Sequence, residues 1–281
     1  MNRRRTVSLI VLVYTTLLFS SPAHAQLWQQ GPKLVGSGAV GNSEQGTAVA
    51  LSADGNTAIV GGYVDNKYVG AAWVWARSGG VWTQQGAKLV GSDAVGSAAQ
   101  GLSVALSADG NTAIVGGDGD DGGVGAAWVW TRSRGVWTQQ GAKLVGSDSV
   151  GEAGQGSSVA LSADGNTAIV GGYGDNNIAG AAWIWTRSGG VWTQQSIKLV
   201  GSGAIDDWGA HQGWCVALSA DGNTAIVGGL TTTIDLAPRG SGPGAEKRGP
   251  NRARSLWARA PWVMLLYRVF PCLSPRTAIR H

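Results

Sequence analysis

The phrase VALSADGNTAIVGG occurs four times, beginning at Val49, Val104, Val159 and Val216. The first two steps are 55 residues, and the third is 57 because DDWGAHQGWC carries two extra residues. A fixed period of this length specifies a repeat architecture, in which each unit is one supersecondary motif that buries its apolar faces only against its neighbours.

Strand signals fall at fixed places within a period. SVALSA and TAIVGG are short runs rich in Val, Ile, Ala and Thr, joined by Asp-Gly-Asn, a hairpin-turn signal. After a Gly/Asp-rich loop come AAWVWTRS and VWTQQGAKLVG, separated by Gly-Gly in the first and third repeats. Gly-Gly supplies the positive φ that a two-residue hairpin needs. Each period is therefore a meander of four antiparallel strands, with no helical periodicity. Four strands per repeat in tandem predict an all-β fold of β-propeller-type blades. Trp73 and Trp75 share one face of a strand, as do Trp128 with Trp130 and Trp183 with Trp185, and Trp82, Trp137 and Trp192 follow on the partner strand. Recurring in every blade, these indoles are expected to pack between sheets; the alternative is a ladder for stacking sugar rings.

The stretch QGLSVALSADGNTAIVGGDGDDGGVGAAWVWTRS, Gln100 to Ser133, resembles the bacterial FG-GAP repeats, which are related to the blades of the integrin α-subunit propeller. The resemblance covers residues 27–229. It departs from the family in three places. Gln45-Gly46, Gln100-Gly101 and Gln155-Gly156 stand for Phe-Gly, Gly-Gly-Tyr or Gly-Gly-Asp stands for Gly-Ala-Pro, and the SADGN turn lacks the family's Asp-x-Asp-x-Asp-Gly calcium loop. The resemblance implies a non-enzymatic binding or adhesion scaffold, with calcium as the family's frequent ligand.

Charge divides the chain into segments. Residues 26–229 hold nine Lys/Arg against fifteen Asp/Glu, and residues 230–281 hold nine against two, so the overall +4 comes from the two ends. A nucleic-acid partner is not expected, because the basic residues lie outside the repeats. Residues 1–25 read as a signal peptide: Arg3 to Arg5 precede an apolar run from Val7 to Phe19, and Ala23-His24-Ala25 has the small-x-small cleavage form. That run is shorter than the ~20 residues a span needs, so the mature chain is expected to begin at Gln26 with no membrane span, in the periplasm, at the cell surface or secreted. Two cysteines do not make a disulfide framework, and Cys215 reads as a small buried filler in the place of Ala48, Ser103 and Ser158.

Chemistry-bearing residues are few. Asp118, Asp120 and Asp121 in DGDDGG have a spacing that can wrap calcium through oxygen ligands, but the equivalent loops carry one carboxylate each, Asp65 and Asp175, so solvated turn acids are the expectation and calcium the alternative. Residues repeated in every blade do not make a single site, so a ligand site would use positions that break the pattern. These are Asp206, Asp207, Trp208, His211 and Trp214 in the fourth repeat's insertion. A carbohydrate-binding protein or carbohydrate-active enzyme using the Trp-rich faces is the second reading of function. No catalytic residue and no cofactor is assigned beyond the calcium option.

After Gly229 the composition turns to Arg, Pro and Ser, and a disordered basic tail is expected. Read two bases out of frame from Leu236, with synonymous codons free, this tail permits GAAWVWTRSG, then WTQQGSKLVGSGAVGNA, then QGFSVSLSADGNTA. Two positions have no freedom: Trp257-Ala258 and Trp262-Val263 force hidden glycines, as KLVG and GAVG require. A frameshift between about Gly229 and Leu236 is the expectation, and the third reading of function is a truncated, non-functional product. Sequencing that junction checks it, since a single-base insertion or deletion must restore AAWVWTRSG. The in-frame chain then offers three complete blades and half a fourth, a partial ring. Leu27–Gly36 is left as an orphan fourth strand, and sheet edges are exposed.

Overall fold

A computed structural model of the chain describes residues 29–202, 209–230 and 262–268. The chain divides into compact units Met1–Pro32 and Lys33–His281, and the sheets lie in the second. The first sheet is β1 (Val49–Leu51), β2 (Thr57–Gly62), β3 (Ala71–Ser78) and β4 (Val81–Gln84). The second is β5 (Ser103–Leu106), β6 (Thr112–Gly117), β7 (Ala126–Ser133) and β8 (Val136–Gln139). The third is β9 (Gln155–Leu161), β10 (Thr167–Gly172), β11 (Ala181–Ser188) and β12 (Val191–Gln194). The last holds β13 (Cys215–Leu218), β14 (Thr224–Leu230) and β15 (Trp262–Arg268). Each sheet is an antiparallel meander in chain order, so the fold is all-β, in tandem blades of the β-propeller type.

Three local features differ from the sequence expectation. The fourth strand stops at Gln84, Gln139 and Gln194, and the KLVG that follows contributes only a lone bridge, Ala72 to Leu89 in the first blade. No strand forms over the described part of Leu27–Gly36. Within the tail expected to be disordered, β15 pairs with β14 from Thr224 opposite Arg268 to Leu230 opposite Trp262. WVMLLYR is the one apolar run of that tail, and the free edge of β14 is a template for it.

Each first hairpin is closed by the SADGN turn. In the first blade Gly55 takes φ 67°, and Asp54 accepts hydrogen bonds from Ser52 Oγ (2.5 Å) and from the Asn56 backbone N–H (2.9 Å). The Ser52 bond above all, then those of Asn56, hold the Asp54 carboxyl down to about 2, and Asp221 is lowered by the same contacts. Asp109 and Asp164 are also held below the usual range, the equivalent bonds overcoming a desolvation that pushes them up. Carboxyls depressed in the folded state stabilise it above their unfolded value of about 3.9, and that contribution is lost as pH falls through the folded value. The thermal midpoint is therefore expected to drop between about pH 4 and pH 2. Carboxyl NMR titration of Ser52→Ala checks the cause, since Asp54 must then titrate at a higher pH than in the parent.

Blades stack through alternate residues of each sheet. Ile59 of β2 and Ala72 and Val74 of β3 pack against Val104, Val115, Trp128 and Trp130 of the second blade. Ile114, Ala127 and Val129 meet Val170, Trp183 and Trp185 in the same way, and Ile169, Ala182 and Ile184 meet Ala225 and Val227. The face of the first blade that has no described blade before it is only partly covered, by Leu34. There Val49 and Leu51 are 68% and 61% exposed, whereas Val104, the counterpart of Val49, is 9% exposed.

Polar contacts tie blade to blade. Arg132 lies over Trp137 with 5.4 Å from guanidinium to ring centroid, and donates to Gln85 Oε1 (2.8 Å) and Thr57 Oγ1 (3.2 Å) of the preceding blade. Arg187 repeats this with Trp192, Gln140 and Thr112. A backbone ladder runs along the turns, Ala53 N–H to Ala108 O (2.9 Å), Ala108 to Ala163 (2.8 Å) and Ala163 to Ala220 (2.8 Å). Glycine is required where blades approach most closely: a Cβ on Gly116 would lie 2.2 Å from the carbonyl oxygen of Gly156.

Candidate functional site

The framework is identical from repeat to repeat over Val49–Gly62 and its three counterparts, so variation has few places to go. Most of it lies in two loops, residues 38–48 before the first strand and 63–69 between the second and third, with their counterparts. Neighbouring blades lace these two loops together. Ala99 and Gln100 donate to the carbonyls of Tyr68 (2.7 Å) and Val69 (3.1 Å), and His211 and Gln212 donate to Ile178 (2.9 Å) and Ala179 (3.0 Å). Sequence variation is thereby gathered at one end of the sheets, the usual place for recognition on a rigid scaffold.

Three columns of the repeat build this end. The residue after Gln-Gly is Thr47, Leu102, Ser157 and Trp214, and the residue after Gly-Gly is Tyr63, Asp118, Tyr173 and Leu230. The residue before Gln is Glu44, Ala99, Gly154 and His211, with φ of 50°, 57°, 62° and 48°. The invariant Gln anchors the loop from below: Gln100 and Gln155 are fully buried, and their Oε1 atoms accept from Gly91 and Gly146 N–H at 2.6 Å.

Leu102, Asp118, Ser157, Tyr173 and Trp214 line a cleft of about 290 Å³ that draws on three successive blades. Trp214 is 44% exposed and meets Tyr173 edge-on, with centroids 5.0 Å apart and rings at 62°. His211 stacks on Tyr173 (6.3 Å, 21°) and stands across Trp214 (6.3 Å, 83°). Its Nδ1 donates to the Gly209 carbonyl at 3.1 Å, which fixes the ring. Desolvation pushes the Asp118 carboxyl up, against the one opposing hydrogen bond from its own backbone. Tyr173 is raised by burial and then by the Asp118 charge. On the neighbouring blade Tyr63 is raised first by its hydrogen bond to Glu44.

The residues singled out from sequence meet different fates. His211 and Trp214 come together, and they join Asp118, which the sequence placed in a separate calcium loop. Asp206, Asp207 and Trp208 lie outside the described residues. The three aspartates of DGDDGG do not converge. Asp120 is buried, accepting from Val95 N–H (2.7 Å) and pairing with Lys143 Nζ (2.5 Å), while Asp121 is exposed at φ 49°. Asp65 with Lys88 and Asp175 with Lys198 repeat the Asp120 pair, so this aspartate fastens its loop to a lysine in each of three blades. Among the described residues no group of three His, Cys, Asp or Glu is placed to hold a metal.

The indoles of the repeats are structural. Trp73, Trp128 and Trp183 are fully buried, and Trp75, Trp130 and Trp185 are 8% exposed, so these faces offer no sugar platform. Cys215 is exposed rather than buried. Its counterparts Ser103 and Ser158 each donate to a carbonyl of the next blade at 2.7 Å, and no further blade follows Cys215 among the described residues. Leu102, Ser157 and Tyr173 were missed from sequence, although they occupy the same columns as Trp214 and Asp118.

No family model matches this chain, and no curated protein matches it. Among solved structures it is similar to TolB from Acinetobacter baumannii, at 12% identity and a TM-score of 0.37 over 66% of this chain and 38% of that one. It is also similar to the hydrazine synthase of Kuenenia stuttgartiensis, at 15% identity and a TM-score of 0.43 over 72% of this chain and 47% of that one. The chain thus spans less than half the length of either. No helix among the described residues is long and apolar enough to cross a membrane.

Proposed function

We propose that the chain is an exported, non-enzymatic scaffold of the FG-GAP kind that binds its ligand through the loop end of its blades. The observation that carries this is the segregation of the repeats: identical framework strands, with the variable columns gathered around one aromatic and acidic cleft. The substitution of Gln for the family's Phe fits the same scheme, because the buried Gln fastens each variable loop through Gly91 or Gly146.

An array of immobilised glycans, amines and peptides probed with the full-length chain tests it. Retention on at least one class is expected, with Trp214→Ala weakening it by about tenfold or more, as removal of an aromatic anchor does. Val136→Ser, on an exposed framework hairpin, should leave it unchanged. Retention that ignores Trp214→Ala, or falls equally with Val136→Ser, overturns the assignment. The six paired tryptophans are buried, so among the described residues the carbohydrate reading rests on Trp214, the exposed indole. Export is checked by the N-terminus of the secreted chain, expected at Gln26. A frameshifted, non-functional product would instead show no cooperative unfolding transition.

A further inference from the structure

The cleft has a chemistry of its own. Beyond its own backbone N–H, the Asp118 carboxyl has no hydrogen-bond or ion-pair partner among the described residues, and no Lys or Arg lines the cleft. Several described aspartates of the repeats are satisfied by contrast: Asp120 by Lys143, Asp93 by Trp128 and Gln139, and Asp109 by Ser107 and Asn111. Tyr173, Trp214 and Leu102 line the cleft together with Asp118 and Ser157, two π-systems and an aliphatic chain beside the carboxyl and a hydroxyl. The variable loops add Glu44, Asp121 and Glu152 against Lys67, so the end is acidic on balance.

A charged carboxylate that is partly desolvated and unpaired gains most from a ligand that brings positive charge. Aromatic faces attract the same charge through their quadrupole and accept an apolar stem beside it. The volume, about 290 Å³, falls just short of the roughly 300–1,000 Å³ range of ligand pockets and suits one head group with a short stem.

We infer that this cleft binds an organic ammonium group, its charge on Asp118 and its carbon substituents on Tyr173, Trp214 and Leu102. The inference rests on the reading of the loop end as the binding surface. The ammonium can come from a free quaternary amine or from a lysine side chain of a partner, and the probes separate these sources.

Calorimetric titration of the full-length chain compares choline, its neutral isostere 3,3-dimethylbutanol, acetyl-lysinamide and methyl glucoside. Choline or acetyl-lysinamide is expected to bind about tenfold or more tighter than the neutral isostere, and the tighter of the two identifies the source. Asp118→Asn should bring cation and isostere to within about twofold of each other, while Trp214→Ala weakens both. Equal binding of choline and its isostere, unchanged choline affinity in Asp118→Asn, or no binding of either cation overturns the inference. Methyl glucoside bound in their place, and lost in Trp214→Ala, would overturn the ammonium alone and leave the binding face standing. The thermal midpoint of each variant, expected to match the parent, separates lost binding from lost folding.

Discussion

Trp128→Ala is expected to destabilise the chain by about 3–5 kcal/mol, the cost of emptying a fully buried aromatic site. Trp128 is 0% exposed, packs across the interface between the first two blades, and donates its Nε1 proton to Asp93 at 2.8 Å. The substitution removes the ring, opens a void between two sheets and takes a donor from Asp93. That carboxyl is held below its usual range, against desolvation, by Lys143 N–H, Gln139 and Trp128. Trp128→Phe should recover most of the packing and leave the loss of one hydrogen bond, about 1–2 kcal/mol. The space is tight as well as apolar: a Cβ on Gly91 would fall 2.2 Å from Trp128 Cδ1. Chemical denaturation reads these losses, with Val136→Ala, at the exposed start of β8, as the unchanged reference.

Asp120→Asn should cost about 3 kcal/mol or more, because breaking one half of a buried ion pair leaves the other half uncompensated. Asp120 is fully buried and joins three parts of one blade: its own loop, Val95 in the entry loop and Lys143 after β8. Asn keeps the size and one acceptor for Val95 N–H but cannot neutralise Lys143. Lys143→Met added to Asp120→Asn should therefore restore part of the loss, and the double-mutant cycle measures the coupling. The same pair bears on calcium. A cation at Asp120 would have to displace Lys143, so millimolar calcium is expected to leave the thermal midpoint of the parent unchanged. A rise of several degrees would return Asp120 to the role of ligand.

The blades were legible because period, turn residues and alternation all act within one repeat. VALSADGNTAIVGG contains two strands and their turn, and Trp73 and Trp75 declare one face of a third. The indoles were correctly expected in the packing, since only stacking can bury a residue present in every unit. What escaped the sequence depends on distance across repeats. Asp118 and Asp120 are two residues apart in the chain yet belong to different worlds, one in an aromatic cleft and one under a lysine. Asp65 and Asp175 mark Asp120 as the repeated position, but only the fold shows the lysine that each of the three is paired with. The cleft itself joins the columns of Leu102 and Asp118 over three blades, which no single repeat displays. Cys215 was misplaced for a related reason, because burial in its column is provided by the blade that follows.

The ladder from Ala53 to Ala108, Ala163 and Ala220 has the same donor, acceptor and nearly the same length at every step. Nothing in such a contact records which blade it belongs to, so an added or deleted repeat meets the same neighbours as before. Blade number in this protein is consequently easy for evolution to change, by slippage or unequal exchange between near-identical gene segments. Selection then acts on the residues that differ, at one end of an array whose blade-to-blade contacts are alike.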